Sequence, residues 1–237
     1  MRYFQLFVLT AFILSSLAFE QKSSVSQQDS DQHYGDAAST PEWYNSKSTD
    51  TLSVVTWNVE HFVDSHDNPY IDNDTENNPP SDMEQRRQLL ADAIKELDAD
   101  IVVFQELESD SYLAKMAEER FSDMGYQVFG ALESADWYMN VVVMCRVPLG
   151  VFSSYANITT PILGQTNDEG NPASQVLTNN RMWTTDVLVN DDYTFSLTGL
   201  HLKAGGGDRN QGWRMGQINL LREHFESLTA NDADKNM

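Results

Sequence analysis

Residues 81–108 read SDMEQRRQLLADAIKELDADIVVFQELE, a helix signal running straight into a strand signal. Ser81 and Glu84 have the spacing of an N-terminal capping box, placed just after the Pro79–Pro80 pair, and Leu90, Ile94 and Leu97 then recur at helical intervals. This pattern predicts a helix from about Asp82 to Leu97, closed by the polar step Asp98 to Asp100. Ile101 to Phe104 is too short and too apolar for a second helix, so it reads as a core strand that delivers Gln105 and Glu106 at its C-terminal end. Upstream, the β-branched run from Leu52 to Trp57 ends at Asn58 and reads as a strand buried on both faces. Strand, helix and strand at this spacing make a βαβ unit.

The rest of the chain extends the alternation. Asp64 to Pro80 is an acidic loop rich in Asn and Pro, and Leu113, Met116, Ala117 and Phe121 mark one face of another helix. Strand-like runs follow at Tyr126 to Phe129 and Asn140 to Cys145. Thr159 to Asn180, with Pro161, Gly164, Gly170 and Pro172, reads as a long loop. Trp183 to Val189 and Tyr193 to His201 read as a hairpin turning at Asn190 to Asp192, and Ile218, Leu221, Phe225 and Leu228 mark a last helix. The class is α/β with more strand than a simple doubly wound sheet.

Composition narrows the context. MRYFQLFVLTAFILSSLAFEQ at the start combines Arg2, an apolar run from Leu6 to Leu17 and small residues at Ser16 and Ala18, which predicts a secretory signal over 1–18 and a secreted or periplasmic protein. The run is shorter than the roughly 20 residues a spanning helix needs, so no stable membrane insertion is expected after cleavage. Residues 19–50 are polar and aperiodic and read as a flexible leader; 51–237 read as one domain. With 15 Lys plus Arg against 36 Asp plus Glu, the formal charge of −21 repels phosphate at long range. A bound cation therefore becomes the natural partner for any phosphate chemistry here. Cys145 is the only cysteine, and in its apolar strand it reads as a small buried hydrophobe.

Polar residues at strand ends are the candidates for chemistry. Glu106 offers a hard carboxylate oxygen where α/β proteins build their sites, and Asn58 offers an amide at the matching end of the preceding strand. Each alone is equally an ordinary loop residue. His201 also ends an apolar strand, with Lys203 and the glycines 205–207 beside it; an imidazole there can donate to a phosphoryl oxygen as charge builds. Arg181 precedes a strand and can clamp phosphate with its planar fork. His33, His61, His66 and His224 lack ligand-type spacing and read as structural or solvent-facing. Asp72, Asp74 and Glu76 begin like an EF-hand loop, but Asn77 and Met83 stand where that loop needs Gly and Glu, so only loose Ca²⁺ binding is open to them. Asn73 and Asn157 each begin an N-x-T sequon.

Four segments in order, VVTWNVE at 54–60, DADIVVFQELE at 98–108, NVVVMCRVP at 140–148 and LTGLHLKA at 197–204, resemble successive motifs of the endonuclease/exonuclease/phosphatase superfamily, with the deoxyribonuclease-I-like fold. The R-x-x-Q pattern at Arg214 to Gln217 is similar to the family at the same point. The resemblance implies a two-sheet β-sandwich flanked by helices and hydrolysis of phosphate esters with Mg²⁺ or Mn²⁺. By position, Glu106 and Asn58 resemble the family's metal-site residues and His201 its phosphate-contacting histidine. Arg181, Asn140 and Lys203 complete the implied substrate-binding set. The family's later G-D-x-N and S-D-H motifs do not occur in the 237 residues. A fold incomplete at its C-terminus and little turnover by this chain are therefore expected. The function implied is a secreted metal-dependent phosphoesterase, most simply of nuclease type. Phospholipids and sugar or inositol phosphates stand as alternative substrates, and a catalytically dead binding module stands as the competing class.

Overall fold

A computed structural model describes residues 51–178, 181–190, 193–231 and 236. The signal and leader expected over 1–50 lie outside the described residues. Strand β1 (Val54–Phe62) is followed by a single-turn helix α1 (Asp74–Asn77), helix α2 (Met83–Leu97), β2 (Ile101–Leu107), α3 (Asp110–Arg120), β3 (Val128–Ala131) and β4 (Asn140–Cys145). Then come β5 (Ser153–Ser154), β6 (Thr159–Thr166), β7 (Pro172–Val176), β8 (Met182–Asn190), β9 (Tyr193–Leu200) and α4 (Asp208–Asn231).

Two sheets carry the core. The first has strand order β1-β2-β4-β3, with β1 and β2 parallel through the α2 crossover and the other pairs antiparallel; the second has order β5-β8-β9. Alternation along each strand sends side chains to opposite faces. Val102, Phe104, Val142 and Met144 therefore pack on Leu90, Ala91 and Ile94 of α2 and on Leu113 and Met116 of α3. Ile101, Val103, Val141, Val143 and Cys145 point the other way, onto Trp183, Val187 and Val189 of the second sheet. All six residues of β4 are buried, and burying each of its three valines stabilises the fold by about 1.5–3 kcal/mol. The indole N–H of Trp183 donates across the sandwich to the Val141 carbonyl at 2.8 Å. Gly199 makes room for that ring, since a Cβ there would lie 2.4 Å from it. On the far side, α4 packs Leu220 and Leu221 against Tyr155, Leu177 and Met182. The architecture is the helix-flanked sandwich that the motif order implies. Among the described residues no helix is long and apolar enough to cross a membrane.

Cys145 is fully buried, donates to the Val147 carbonyl at 2.9 Å, and has its thiol pushed up to about 12 by burial, as expected of a core hydrophobe.

Three local expectations need correction. β1 is not buried on both faces: among the described residues it pairs only with β2, and Val54 and Trp57 are exposed, because β-branching reports strand propensity and not coverage. The capping box at Ser81 does not form. Asp82 occupies the cap position without a side-chain bond, and Glu84 instead binds Arg87 at 2.8 Å and Arg120 at 2.6 Å, so tertiary ion pairing prevails over the local motif. The expected loop over 159–180 contains the β6–β7 hairpin, closed by Asn167, whose carbonyl and side chain accept from Gly170, Glu169 and Asn171. Pro172 is tolerated as the first residue of β7, and Thr160 and Ile162 alternate inward.

Candidate active site

The two strand ends of the βαβ unit do not simply stop; they bulge. Pairing of β1 with β2 shifts register between Asn58 and Phe62, and pairing of β2 with β4 shifts between Gln105 and Leu107. Glu60, His61 and Glu106 all sit in left-handed backbone, with φ of 51°, 50° and 62°. Each such non-glycine residue costs about 1–2 kcal/mol, and three together mark a place where geometry is held against local preference. At Glu106 the twist breaks strand alternation, so Gln105 and Glu106 both line one pocket.

Side chains hold the bulges in place. The Asn58 Oδ1 accepts from the Glu60 N–H at 2.9 Å, and Arg86, reaching over from α2, donates to the carbonyls of Val59 (2.6 Å) and Glu60. The Glu106 carboxylate takes the remaining donors. Asn58 Nδ2 donates to Oε1 at 3.0 Å, and the His61 N–H donates to Oε2 at 3.3 Å. His201 brings its Nε2 within 3.3 Å of Oε1. The carboxylate is only 14% exposed; burial raises its pKa, but the Asn58 bond, the imidazoles of His201 and His61 and the His61 N–H outweigh that and hold it below the usual carboxylate range.

His201 is held just as firmly. Its backbone N–H donates to the Arg181 carbonyl at 2.9 Å, and the Arg181 Nη1 approaches its Nδ1 at 3.4 Å. Burial first, and the Arg181 cation second, push its pKa down against the pull of Glu106, so the ring is neutral near pH 7. With Nδ1 facing a guanidinium and Nε2 facing a carboxylate, the consistent tautomer carries its proton on Nε2. Burial also lowers the Arg181 pKa, opposed by Glu106. Thr56, Asn58, Gln105, Glu106, His201 and Ala204 line an open pocket of about 420 Å³ between the edges of the two sheets.

The residues marked in the sequence thus separate into two groups. Asn58, Glu106, His201 and Arg181 converge. Asn140 does not line this pocket: it is buried, donating to the Glu108 carbonyl at 2.6 Å and accepting from the Ser134 N–H at 3.0 Å, so its amide braces the chain after β2. Lys203 lies two residues beyond His201 with its ammonium over the Trp213 ring, 5.7 Å from the centroid. Asp72, Asp74 and Glu76 do not gather: Glu76 is buried, accepting from the Asn68 N–H at 2.7 Å, and Asn73 caps α1. Sequence reasoning passed over His61, Arg86 and Tyr138. His61 stands beside Glu106, with its Nδ1 2.5 Å from the Tyr138 hydroxyl. Nothing in the spacing signals these three, because they meet only through the β1 bulge and the placement of α2 beside it.

Among the described residues no three His, Cys, Asp or Glu side chains converge to hold a metal ion. The donors present are instead the ionised Glu106 carboxylate with the Asn58 amide beside it, whose oxygen accepts from the Glu60 N–H and whose nitrogen donates to Glu106. That set fits a hard divalent cation such as Mg²⁺, which keeps several waters and takes few protein oxygens. It does not fit a soft or tetrahedral ion.

Comparison with known proteins places the chain in a family. Residues 55–223 match the model of the Endonuclease/Exonuclease/phosphatase family. Among solved structures, the chain is similar to D. rerio TDP2 complexed with single strand DNA product, at 16% identity over 74% of this chain and 54% of that one, with a TM-score of 0.46. The human Nocturnin catalytic domain with bound sulfate anion is 17% identical over 77% of this chain and 61% of that one, at a TM-score of 0.49. A hairpin deletion mutant of Staphylococcus aureus beta toxin is 14% identical over 75% and 61%, at 0.46. The chain spans between about half and three-fifths of the length of these structures. No curated protein sequence matches it. With a family match that runs from β1 into α4 and encloses every residue of the pocket, the chain belongs to the endonuclease/exonuclease/phosphatase family.

Proposed function

We propose that the whole protein is an exported, divalent-metal-dependent phosphoesterase that hydrolyses phosphodiesters, most simply those of a nucleic acid. The observation that carries the reading is the Glu106 carboxylate, kept ionised in a pocket where an amide and two imidazoles meet it. In this reading Glu106 holds a Mg²⁺ or Mn²⁺ ion with Asn58 beside it. Such an ion, when bound, neutralises charge on a phosphoryl group and activates water.

The chain's own residues supply the rest. The Nε2–H of neutral His201, which faces Glu106 in the unliganded pocket, is shared with a phosphoryl oxygen of bound substrate, and that hydrogen bond strengthens as negative charge grows there. Arg181, mostly buried behind it, adds fixed positive potential and steadies the ring by Nδ1. With a net charge of −21, long-range attraction of a polyanion is absent, so substrate is held by these short-range contacts alone. Export rests on the 1–18 segment of the sequence.

The test is hydrolysis by the full-length protein of bis(4-nitrophenyl) phosphate and of single-stranded DNA in Mg²⁺, with Glu106→Ala and His201→Ala beside it. Each variant is expected to lose about 100-fold or more in kcat/KM. Full Mg²⁺-dependent activity in Glu106→Ala would overturn the assignment. Activity confined to inositol phosphates or phospholipid headgroups would move the substrate, and no turnover of any ester would leave a binding module.

A further inference from the structure

We propose that Arg214 and Gln217 are positioning residues for the pocket: from α4 they clamp both backbone groups of Lys203 and so fix His201 against Glu106. The proposal rests on the phosphoesterase reading for its consequence, but not for its geometry.

Residues 201–207, which carry His201 out of β9, lie in neither strand nor helix. Gly205 and Gly207 have φ of 93° and 83°. Such a segment has no internal reason to hold one shape. Side chains of α4 provide that reason. The Lys203 N–H donates to the Gln217 Oε1 at 2.9 Å. Its carbonyl accepts from the Arg214 Nη1 at 3.0 Å, and the same Nη1 reaches the Gly205 carbonyl at 2.6 Å.

The clamp is itself oriented. Gln217 is buried, and its Nε2 donates to the Gln175 Oε1 at 3.1 Å; Gln175, also buried, donates from its Nε2 to the Trp213 carbonyl at 2.8 Å. This relay fixes which way the Gln217 amide points, so that its oxygen faces the Lys203 N–H. His201 is thereby held between two anchors: Arg181 takes its backbone on one side, and the clamp takes the second residue beyond it on the other. A ring that must sit 3.3 Å from Glu106 needs both, since a displacement of about 1 Å in a reacting group costs on the order of 100-fold in rate. Neither Arg214 nor Gln217 lines the pocket, so each acts through His201.

The experiment compares wild type with Gln217→Met, Arg214→Gln and Arg214→Lys by three measurements. These are hydrogen exchange at the Lys203 amide, long-range ¹H–¹⁵N spectra of the His201 ring, and inorganic phosphate affinity in Mg²⁺. Gln217→Met and Arg214→Gln are expected to speed Lys203 exchange about tenfold or more, to replace the single Nε2–H tautomer by a mixture, and to weaken phosphate about tenfold. Arg214→Lys, which keeps a cationic donor, is expected to restore most of this. An unchanged ring spectrum and phosphate affinity in both variants, with Lys203 released, would overturn the proposal. If Gln217→Met unfolds the chain, Arg214→Gln, at the less buried end of the clamp, decides on the same readouts. Absence of phosphate binding by wild type would count against the phosphoesterase reading alone, because the metal-free ring spectra still judge the clamp.

Discussion

Replacing Gly216 by alanine tests how α4 is seated. A Cβ at Gly216 would lie 2.0 Å from the Pro161 carbonyl oxygen and 3.0 Å from the Gln175 Nε2, and one at Gly212 would lie 2.3 Å from the Leu163 carbonyl oxygen. The helix thus rests its backbone directly on β6. Non-bonded contacts below 3.0 Å are not tolerated, so Gly216→Ala must part α4 from β6 by at least about 1 Å, and the obstacle is backbone, which cannot rotate aside. Parting stretches the bond from the Thr160 hydroxyl to the Gly216 carbonyl, 3.1 Å, and the Gln217–Gln175 bond. Overpacking costs about 1–3 kcal/mol. Each weakened hydrogen bond costs about 1 kcal/mol. Better helix propensity returns about 1 kcal/mol. The balance is a loss of about 2–4 kcal/mol, or a melting temperature about 5–15 °C lower for a domain of this size. Gly206→Ala is the control, because among the described residues nothing lies within 4 Å of its Cβ position; it should change stability by less than about 0.5 kcal/mol. Melting followed by circular dichroism, with urea unfolding for the free energy, reads both. Equal melting temperatures for Gly216→Ala and Gly206→Ala would refute the close seating of α4.

Two further outcomes concern pH. Burial first, then Asp64, Glu76 and Glu133, push the Glu108 carboxyl up to about 7, against the Asp64 N–H that donates to it. A raised carboxyl stabilises the fold below its ordinary pKa, and that contribution is lost as pH rises through about 7. Glu108→Gln should therefore be more stable than wild type at pH 8 by about 1–2 kcal/mol, after allowance for partial solvent screening, and nearly equal at pH 5 in urea unfolding. His201 works in the opposite sense. Its lowered pKa contributes stability that is present above about 6.5 and lost as pH falls below it, and His201→Gln should flatten that part of the stability–pH profile relative to wild type. His224, also lowered by burial, keeps its share of the slope in both proteins.

The βαβ unit was legible because its signals are local: the 3.6-residue spacing of Leu90, Ile94 and Leu97 and the apolar run into Glu106 need no partner to be seen. The strand-end placement of Glu106, Asn58 and His201 was legible for the same reason, as polar residues closing apolar strands. What escaped is what depends on contact. The β6–β7 hairpin carries Pro and Gly that signal a loop, and only alternation against α4 makes it a sheet. His61 reaches Glu106 because β1 bulges, and Arg86 matters because its helix stands where it can cap the bulge carbonyls. Asn140, which the family resemblance puts in the substrate-binding set, has both ends of its amide committed to backbone.

The proposed function turns on one carboxylate, Glu106, holding the ion on which the chemistry depends. Titration of Mn²⁺ into the protein followed by electron paramagnetic resonance measures this directly. One bound ion is expected, displaced by Mg²⁺, weakened about tenfold or more by Glu106→Ala and unaffected by Asp72→Ala or Asp74→Ala. Binding of equal strength in wild type and Glu106→Ala would contradict it.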